Sequence, residues 1–500
     1  MKNRYIYSLL FLLIIISSCD DILEKAPNYK PTAEGYFVSE DAAQEARIGL
    51  YSTNANQAYF KDYVFMWDGM TDQLYDQYNW GQELSVARGA FDASIGGIVS
   101  GFYNDAYRVI ATINDLIANV EGMDEGLFVN LPKEQYIAEA RFFKAYYYFY
   151  LTEIYGGVPL YKTALTSVED SKVEQTSKSE IVDYILDELD LAIKSLPVGQ
   201  YDGYVKKGAA QMLKVKILLH NQQWQEAAQV AGEVIASGIY DLHPDYTEIF
   251  IKKGQVGNRE IMFASEFQYP DFSHSLSRYL VHSAAAVPRV EFVNSYLMKD
   301  GHTVAESPLE SSDYQNRDPR LYMTVRLPDD VWHYDNGSEV AFEPTLSGFY
   351  TKKFLDEDIN DNNSLHQGGT SEQSIVHLRY ADLLLMYAEA KYRLGELDQS
   401  IVDETINKIR ERCGMASTDI TSFSDSEKFD LIKYERSVEL AFERHHYFDL
   451  KRWGILGETL VNLNDPNGLS MNWEEHFSLW PFSTSELILN PNLVQNPGYN

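Results

Sequence analysis

Basic residues are scarce, with 42 lysines and arginines against 74 aspartates and glutamates and a formal charge of −32. A protein that tracks nucleic-acid phosphates must offer basic surface to release counterions. The dense basic clusters here are brief, such as Lys352-Lys353 and Lys451-Arg452, so nucleic acid is excluded as a partner. Cysteine is scarcer still, Cys19 and Cys413 being the only two, and a chain of this length can bury a core without disulfide staples. Beyond the N-terminus no stretch reaches about 18 uninterrupted apolar residues, which excludes a membrane-spanning helix in the body of the chain. His-Glu-x-x-His, Gly-x-Ser-x-Gly, the phosphate loop and Gly-x-Gly-x-x-Gly are all missing. Glycoside hydrolysis survives that test, because its two carboxylates can come from anywhere in a chain.

Aromatic residues are plentiful: 36 tyrosines, 24 phenylalanines and 7 tryptophans. Tyrosine joins a large apolar face to a polar tip, which serves packing and ligand surfaces equally well. At the N-terminus, Lys2 and Arg4 form a positive region, followed by an apolar stretch from Ile6 to Ile16 that is too short for a permanent transmembrane helix. Its end, Ile16-Ser17-Ser18-Cys19, resembles a bacterial lipobox, where small residues admit a signal peptidase and the cysteine thiol carries diacylglycerol. The alternative is an ordinary secretory signal that happens to contain a cysteine. On the lipobox reading, residues 1–18 are a signal peptide and Cys19 is the lipidated mature N-terminus. Residues 19–31 are then a tether of up to about 40 Å, and 32–500 a single domain. A lipidated Cys19 leaves Cys413 without a partner for an intrachain disulfide.

Downstream, the spacing is mainly helical. Lys133 to Tyr155 carries aromatic and aliphatic residues on every face, predicting a helix buried nearly all round and stopped by Gly156-Gly157-Val158-Pro159. The capping box Ser177-x-x-Glu180 opens a helix with the stripe Ile181, Ile185, Leu189, Ala192 and Leu196. A helix–turn–helix of Ala209 to Leu219 and Trp224 to Ile235 is echoed by Ile375 to Leu394 and Leu397 to Arg410. In both, a bulky residue after the turn is followed three residues on by a small one. This resembles the tetratricopeptide pattern, as two copies about 170 residues apart rather than a tandem array. A last long helix begins at Ser424-x-x-Glu427 and runs through Leu431, Tyr434, Val438, Ala441 and Phe442. Residues 240–370 are rich in proline and hold short β-like runs, Glu260 to Phe263 and Gly348 to Tyr350, and so read as a loop-rich insertion. Loops of that length usually bind something. The expected fold class is mainly α: tetratricopeptide-like helix pairs forming a scaffold, with long loop-rich insertions and a few short strands.

Separated stretches together resemble the SusD/RagB family of outer-membrane nutrient-uptake lipoproteins of Bacteroidetes. They begin at Cys19-Asp20-Asp21, continue through Tyr136 to Phe142 and Tyr155-Gly156-Gly157-Val158-Pro159, and include Arg317-Asp318-Pro319-Arg320-Leu321. Later come Leu378-Arg379-Tyr380-Ala381-Asp382, Glu435 to Glu443, Phe448 to Gly454, Leu479-Trp480-Pro481 and Asn496-Pro497-Gly498-Tyr499. The resemblance implies a non-enzymatic, lipid-anchored protein on the outer face of the outer membrane. It would act as the lid of a SusC-like, TonB-dependent transporter, capturing oligosaccharide, or peptide in some branches, on its loop-rich face. No cofactor and no metal are expected.

Glu435, Arg436, Glu439, Glu443 and Arg444 on that last helix, with Asp449 and Arg452 after it, suit arginine–carboxylate forks that lock helices together better than acid–base chemistry. His445 and His446, adjacent on a helix, point about 100° apart and are poorly placed to share one ion. Asp356, Asp358 and Asn360 imitate the start of a calcium loop, but Asp361 and Gln367 break its register.

Sugar capture needs flat aromatic faces for the ring C–H groups, flanked by amides or carboxylates for the hydroxyls. Residues 70–82 offer Tyr75, Tyr78 and Trp80 among Asp72 and Asn79, and the resemblance implies a ligand role for the loop just after the first helical region. Tyr269 and Phe272 form a second candidate, with Trp332 and its neighbours His333 and Tyr334 as a further group that could join it. The competing use of each aromatic is loop packing. Trp80 is the leading candidate. Oligosaccharide binding is preferred on these residues, with a peptide-binding lid and a surface glycan hydrolase as alternatives.

Overall fold

The computed structural model describes residues 33–333, 337–356, 368–463, 465–466 and 468–499. Cys19, the tether, Tyr334 and all but the first residue of the calcium-like loop lie outside the described residues. The longer helices are α1 Glu40–Ala55, α2 Ile98–Gly122, α3 Lys133–Tyr155, α4 Lys178–Ser195, α5 Lys207–His220, α6 Trp224–Ala236 and α7 Tyr380–Arg393. After these come α8, residues 399–413 with a π-helical turn at Asp403–Asn407, then α9 Asp425–Glu439 and α10 His446–Arg452. The strands are short: β1 Leu74–Asp76, β2 Ile261–Ser265, β3 Ala286–Pro288, β4 Val325–Arg326, β5 Tyr350–Thr351 and β6 Ile375–Arg379. The chain is mainly α, and the expected helix pairs are present.

Local signals place these helices. Ser177 and Ser424 each close a reciprocal capping box with the glutamate three residues on. Helix α3 is the hub, contacting α1, α2, α4 and α5. That is why Phe142, Phe143 and Tyr146 to Tyr150 all lose their solvent. Gly156 ends it at φ 76°, a conformation open to glycine. The α5–α6 and α7–α8 pairs, far apart in sequence, are neighbours in space, since α6 packs on α7. The excursion between them leaves and returns through a single antiparallel ladder, β2 on β6. Helix α7 is consequently shorter than its sequence pattern. Ile375–Arg379, expected as helix, is strand β6, because β-branched Ile375 and Val376 have a partner strand waiting in β2.

A second departure falls at residues 440–444. The helix expected to carry Ala441 to Arg444 stops at Glu439, and Phe442 and Arg444 take left-handed φ values of 66° and 71°. Buried donors satisfy the carbonyls that the helix end leaves unpaired: Arg379 reaches the Glu439 carbonyl at 2.7 Å and Lys353 the Ala441 carbonyl at 2.8 Å. The Arg444 N–H donates to the carboxylate of Asp68 at 2.8 Å. The charged motif is a buried ion-pair lattice: Arg379 meets Glu260, Glu439 and Glu443, Arg320 meets Asp318 and Glu435, and Arg436 meets Asp382 and Asp449. His445 and His446 diverge, one lying 2.9 Å from the Lys216 ammonium and the other 2.7 Å from Asp72.

Candidate functional site

The aromatic segment after α1 is anchored before it is exposed. β1 pairs antiparallel with β3, Tyr75 opposite Val287 and Asp76 opposite Ala286. Arg289 Nε donates to the carbonyls of Thr71 and Leu74 at 3.0 Å each. The Tyr78 N–H then donates to Asp76 Oδ1 at 2.8 Å, a local turn that aspartate favours. Asn79 adopts φ 55°, its Oδ1 accepting the Leu84 N–H at 3.0 Å and its amide donating to Ser85 Oγ at 3.2 Å. At Gly81 there is no room for a side chain, since a Cβ would sit 2.2 Å from Met66 Sδ. From the opposite side the Gln77 N–H reaches the Ala285 carbonyl at 3.3 Å.

In this frame Tyr78 and Trp80 stack face to face, with centroids 4.7 Å apart and planes 7° from parallel. They are 44% and 45% exposed. Tyr279 meets Trp80 edge-on at 5.6 Å and touches the Tyr63 hydroxyl at 3.2 Å. Each stacked ring gives one face to the other, leaving the outer face of the stack and the ring edges as a shelf. The indole N–H of Trp80 and the hydroxyl of Tyr78 have no partner among the described residues. Beneath the shelf, Asp76 and Glu83 are both fully buried. Burial, reinforced by the Asp76 carboxylate, pushes the Glu83 carboxyl up to about 10. Two ionised carboxylates would have no donor between them; a proton on Glu83 supplies one.

The other candidates of this region have structural duties. Tyr75 is buried under the Arg289 guanidinium, 5.3 Å from its ring centre, because its place on β1 turns it inward. Asp72 is held by His446 at 2.7 Å, and Asn79 commits its amide to its own loop. Trp332 is only 7% exposed and packs edge-on against Phe342. Tyr269 is exposed at the tip of a tight hairpin, and Phe272 stacks on Phe267 at 5.2 Å while lining a separate cavity of about 400 Å³. No ring contact joins these residues to the shelf among the described residues. Tyr279 and Tyr63 were missed, since nothing in their spacing ties them to Trp80. Only the β1–β3 register, which sets residue 285 beside residue 77, brings the two segments together.

One buried pair resembles a hydrolytic centre without its polarity. Ser265 Oγ lies 2.7 Å from His377 Nε2, but Arg444 donates an N–H to His377 Nδ1 at 2.8 Å. With Nδ1 an acceptor, Nε2 carries the proton and donates to the serine, so this imidazole is set against acting as its base.

Residues 282–499 match the family model described as SusD family, and residues 23–213 the one described as starch-binding associating with outer membrane. SusD-like protein P2 of Formosa agariphila is 25% identical, over 99% of this chain and 100% of that protein. A crystal structure of a SusD-like carbohydrate binding protein from Bacteroides fragilis superposes with a TM-score of 0.81 at 23% identity, covering 92% of this chain and 100% of the other. Surface glycan-binding protein A from Bacteroides fluxus does so with a TM-score of 0.73 at 20% identity, covering 92% and 100%.

Proposed function

The chain belongs to the SusD/RagB family, and from that premise we propose that it is a surface glycan-binding lipoprotein capturing oligosaccharide on the Tyr78–Trp80 shelf. It passes the glycan to a SusC-like, TonB-dependent outer-membrane transporter, over which it sits as a lid. Cys19 carries the lipid anchor, and the domain from residue 32 onward faces the cell exterior.

The observation that carries this reading is the stacked, half-exposed pair with both polar tips unpartnered among the described residues. Sugar C–H groups lie well on such a face, and the indole N–H and phenol can each meet a hydroxyl. The loop beneath is already ordered by Asp76, Asn79 and Gly81, so binding does not have to order it. The family description of residues 23–213 supports the membrane location. Capture requires no turnover, and the reading assigns no catalytic residue.

The test is a binding screen of the full chain in detergent against glycan and peptide panels, beside Trp80→Ala, with reducing-end release followed in the same samples. Saturable glycan binding without release, weakened at least tenfold by the substitution (about 1.4 kcal/mol), is the expected result. Peptide binding indifferent to Trp80 overturns the glycan reading; released sugar overturns the non-enzymatic one.

A further inference from the structure

A cavity of about 330 Å³ opens between α2, the loop after α3 and the short helix Thr484–Leu489. It shares no residue with the shelf. Its walls are the rings of Tyr103, Tyr107 and Tyr161, and the Tyr107 ring meets each of the other two, at centroid distances of 4.6 and 5.5 Å. No lysine or arginine lines it, while two carboxylates do, Asp115 and Glu486. Neither forms an ion pair among the described residues. Partial burial alone raises each from its ordinary value, as expected of acids with no cation at hand.

The hydrogen-bond polarity of the lining is one-sided. The Tyr107 hydroxyl donates to the Pro159 carbonyl at 2.7 Å, the Tyr161 hydroxyl to the Ser171 carbonyl at 2.7 Å, and Ser171 Oγ to the Val168 carbonyl at 2.7 Å. Asn114, only 3% exposed, donates Nδ2 to the carbonyls of Tyr161 and Thr163 at 2.9 and 3.1 Å. Those two bonds fix the amide orientation, so its Oδ1 is a buried acceptor with nothing to accept. The Tyr103 hydroxyl meets that of Tyr107, and among the described side chains of the lining Asn104 at the mouth keeps its donors uncommitted.

A cavity of aromatic faces, two uncompensated carboxylates and an orphaned amide oxygen fits a ligand whose head group is positive and carries only donors. We propose that it is a socket for a primary ammonium carried on a short stem or ring of C–H groups, the chemistry shared by a lysine side chain and a small alkyl or sugar amine. The stem lies against the tyrosine rings, whose faces attract the cation, and the ammonium divides its hydrogens among Asn114 Oδ1 and the two carboxylates.

The full chain in detergent, at 150 mM salt (about an 8 Å screening length), is titrated with n-butylammonium, n-butanol, glucosamine, glucose and an N-acetyl-Gly-Lys-Gly-amide tripeptide by saturation-transfer NMR. Saturable binding of the amines and not of n-butanol or glucose is expected, falling at least tenfold in Asp115→Asn/Glu486→Gln. Both positions are solvent-accessible, and an unchanged helical melt confirms the fold. Preference for the tripeptide assigns the socket to a partner's lysine, and preference for glucosamine to a sugar amine. Amine binding indifferent to the double substitution is diffuse attraction to an acidic surface and overturns the proposal, as do glucose binding equal to glucosamine and no binding at all. The shelf reading is untouched by any of these outcomes, because Trp80 is not part of the cavity.

Discussion

Asp76 and Glu83 face each other in a fully buried carboxyl pair, and Asp76 Oδ1 is the group from which the Tyr78 turn hangs. The turn that carries the aromatic shelf is therefore built on a carboxylate whose buried neighbour, Glu83, is pushed toward its protonated form by burial and by the Asp76 charge.

The proton on Glu83 makes stability fall as pH rises. Burial and the Asp76 charge raise the Glu83 carboxyl to about 10, so the folded chain keeps a proton that the unfolded chain releases. The contribution is fully present below the ordinary glutamate range and is lost progressively from there up to about 10. Glu83→Gln, neutral at every pH and able to donate to Asp76, should raise stability by about 1–3 kcal/mol at pH 7. Its advantage should shrink by pH 4. Urea unfolding at both values decides; equal curves would remove the shared proton.

Shelf membership separates substitutions that the sequence treats alike. Trp80→Ala and Tyr78→Ala should weaken glycan binding at least tenfold with little change in melting temperature, since both rings are half exposed. Trp332→Ala should do the reverse, destabilising by about 3–5 kcal/mol while the remaining folded fraction binds normally. Paired calorimetric titrations and melts would expose any mixed pattern.

Gly81→Ala tests the loop backbone rather than its rings. The new methyl would press on the buried Met66 thioether and the Glu83 carboxyl, a form of overpacking that costs about 1–3 kcal/mol. Glycan affinity should drop although no ligand-facing atom has been removed. Unchanged affinity in a folded variant would mean that the shelf tolerates displacement of its support.

Arg379→Met should destabilise by about 3–5 kcal/mol, because it strands Glu439 and Glu443 in the interior with fewer partners. A second substitution, Glu443→Gln, should recover part of that loss. Failure of the pair to couple in a double-mutant cycle would show that the lattice acts through packing alone.

Much of the scaffold was legible because its signals are local. The capping boxes at Ser177 and Ser424 and the all-round aromatic burial of residues 133–155 each need only a few neighbouring residues. Residues 375–379 and 440–444 defeated the helical pattern because their partners are remote, β2 in one case and Lys353, Arg379 and Asp68 in the other. The same division runs through the site. Tyr78 and Trp80 stand out as exposed aromatics in a polar loop, whereas composition gives no sign that Tyr75 on β1 faces inward or that Tyr279 faces Trp80.

The packing of α6 on α7 across the long excursion sets a timetable for the nascent chain. Residues up to 236 are made first, and α6 can pack on α5 at once, yet the face of α6 that meets α7 has no cover until the 380s arrive. Trp67 waits longer still for Trp480, stacked 5.9 Å away and 6° from parallel. Closure of such distant contacts is slow and leaves sticky surface in the interim. A chain of this design closes its core only when nearly its last residue has been made, because Trp480 lies so close to the C-terminus.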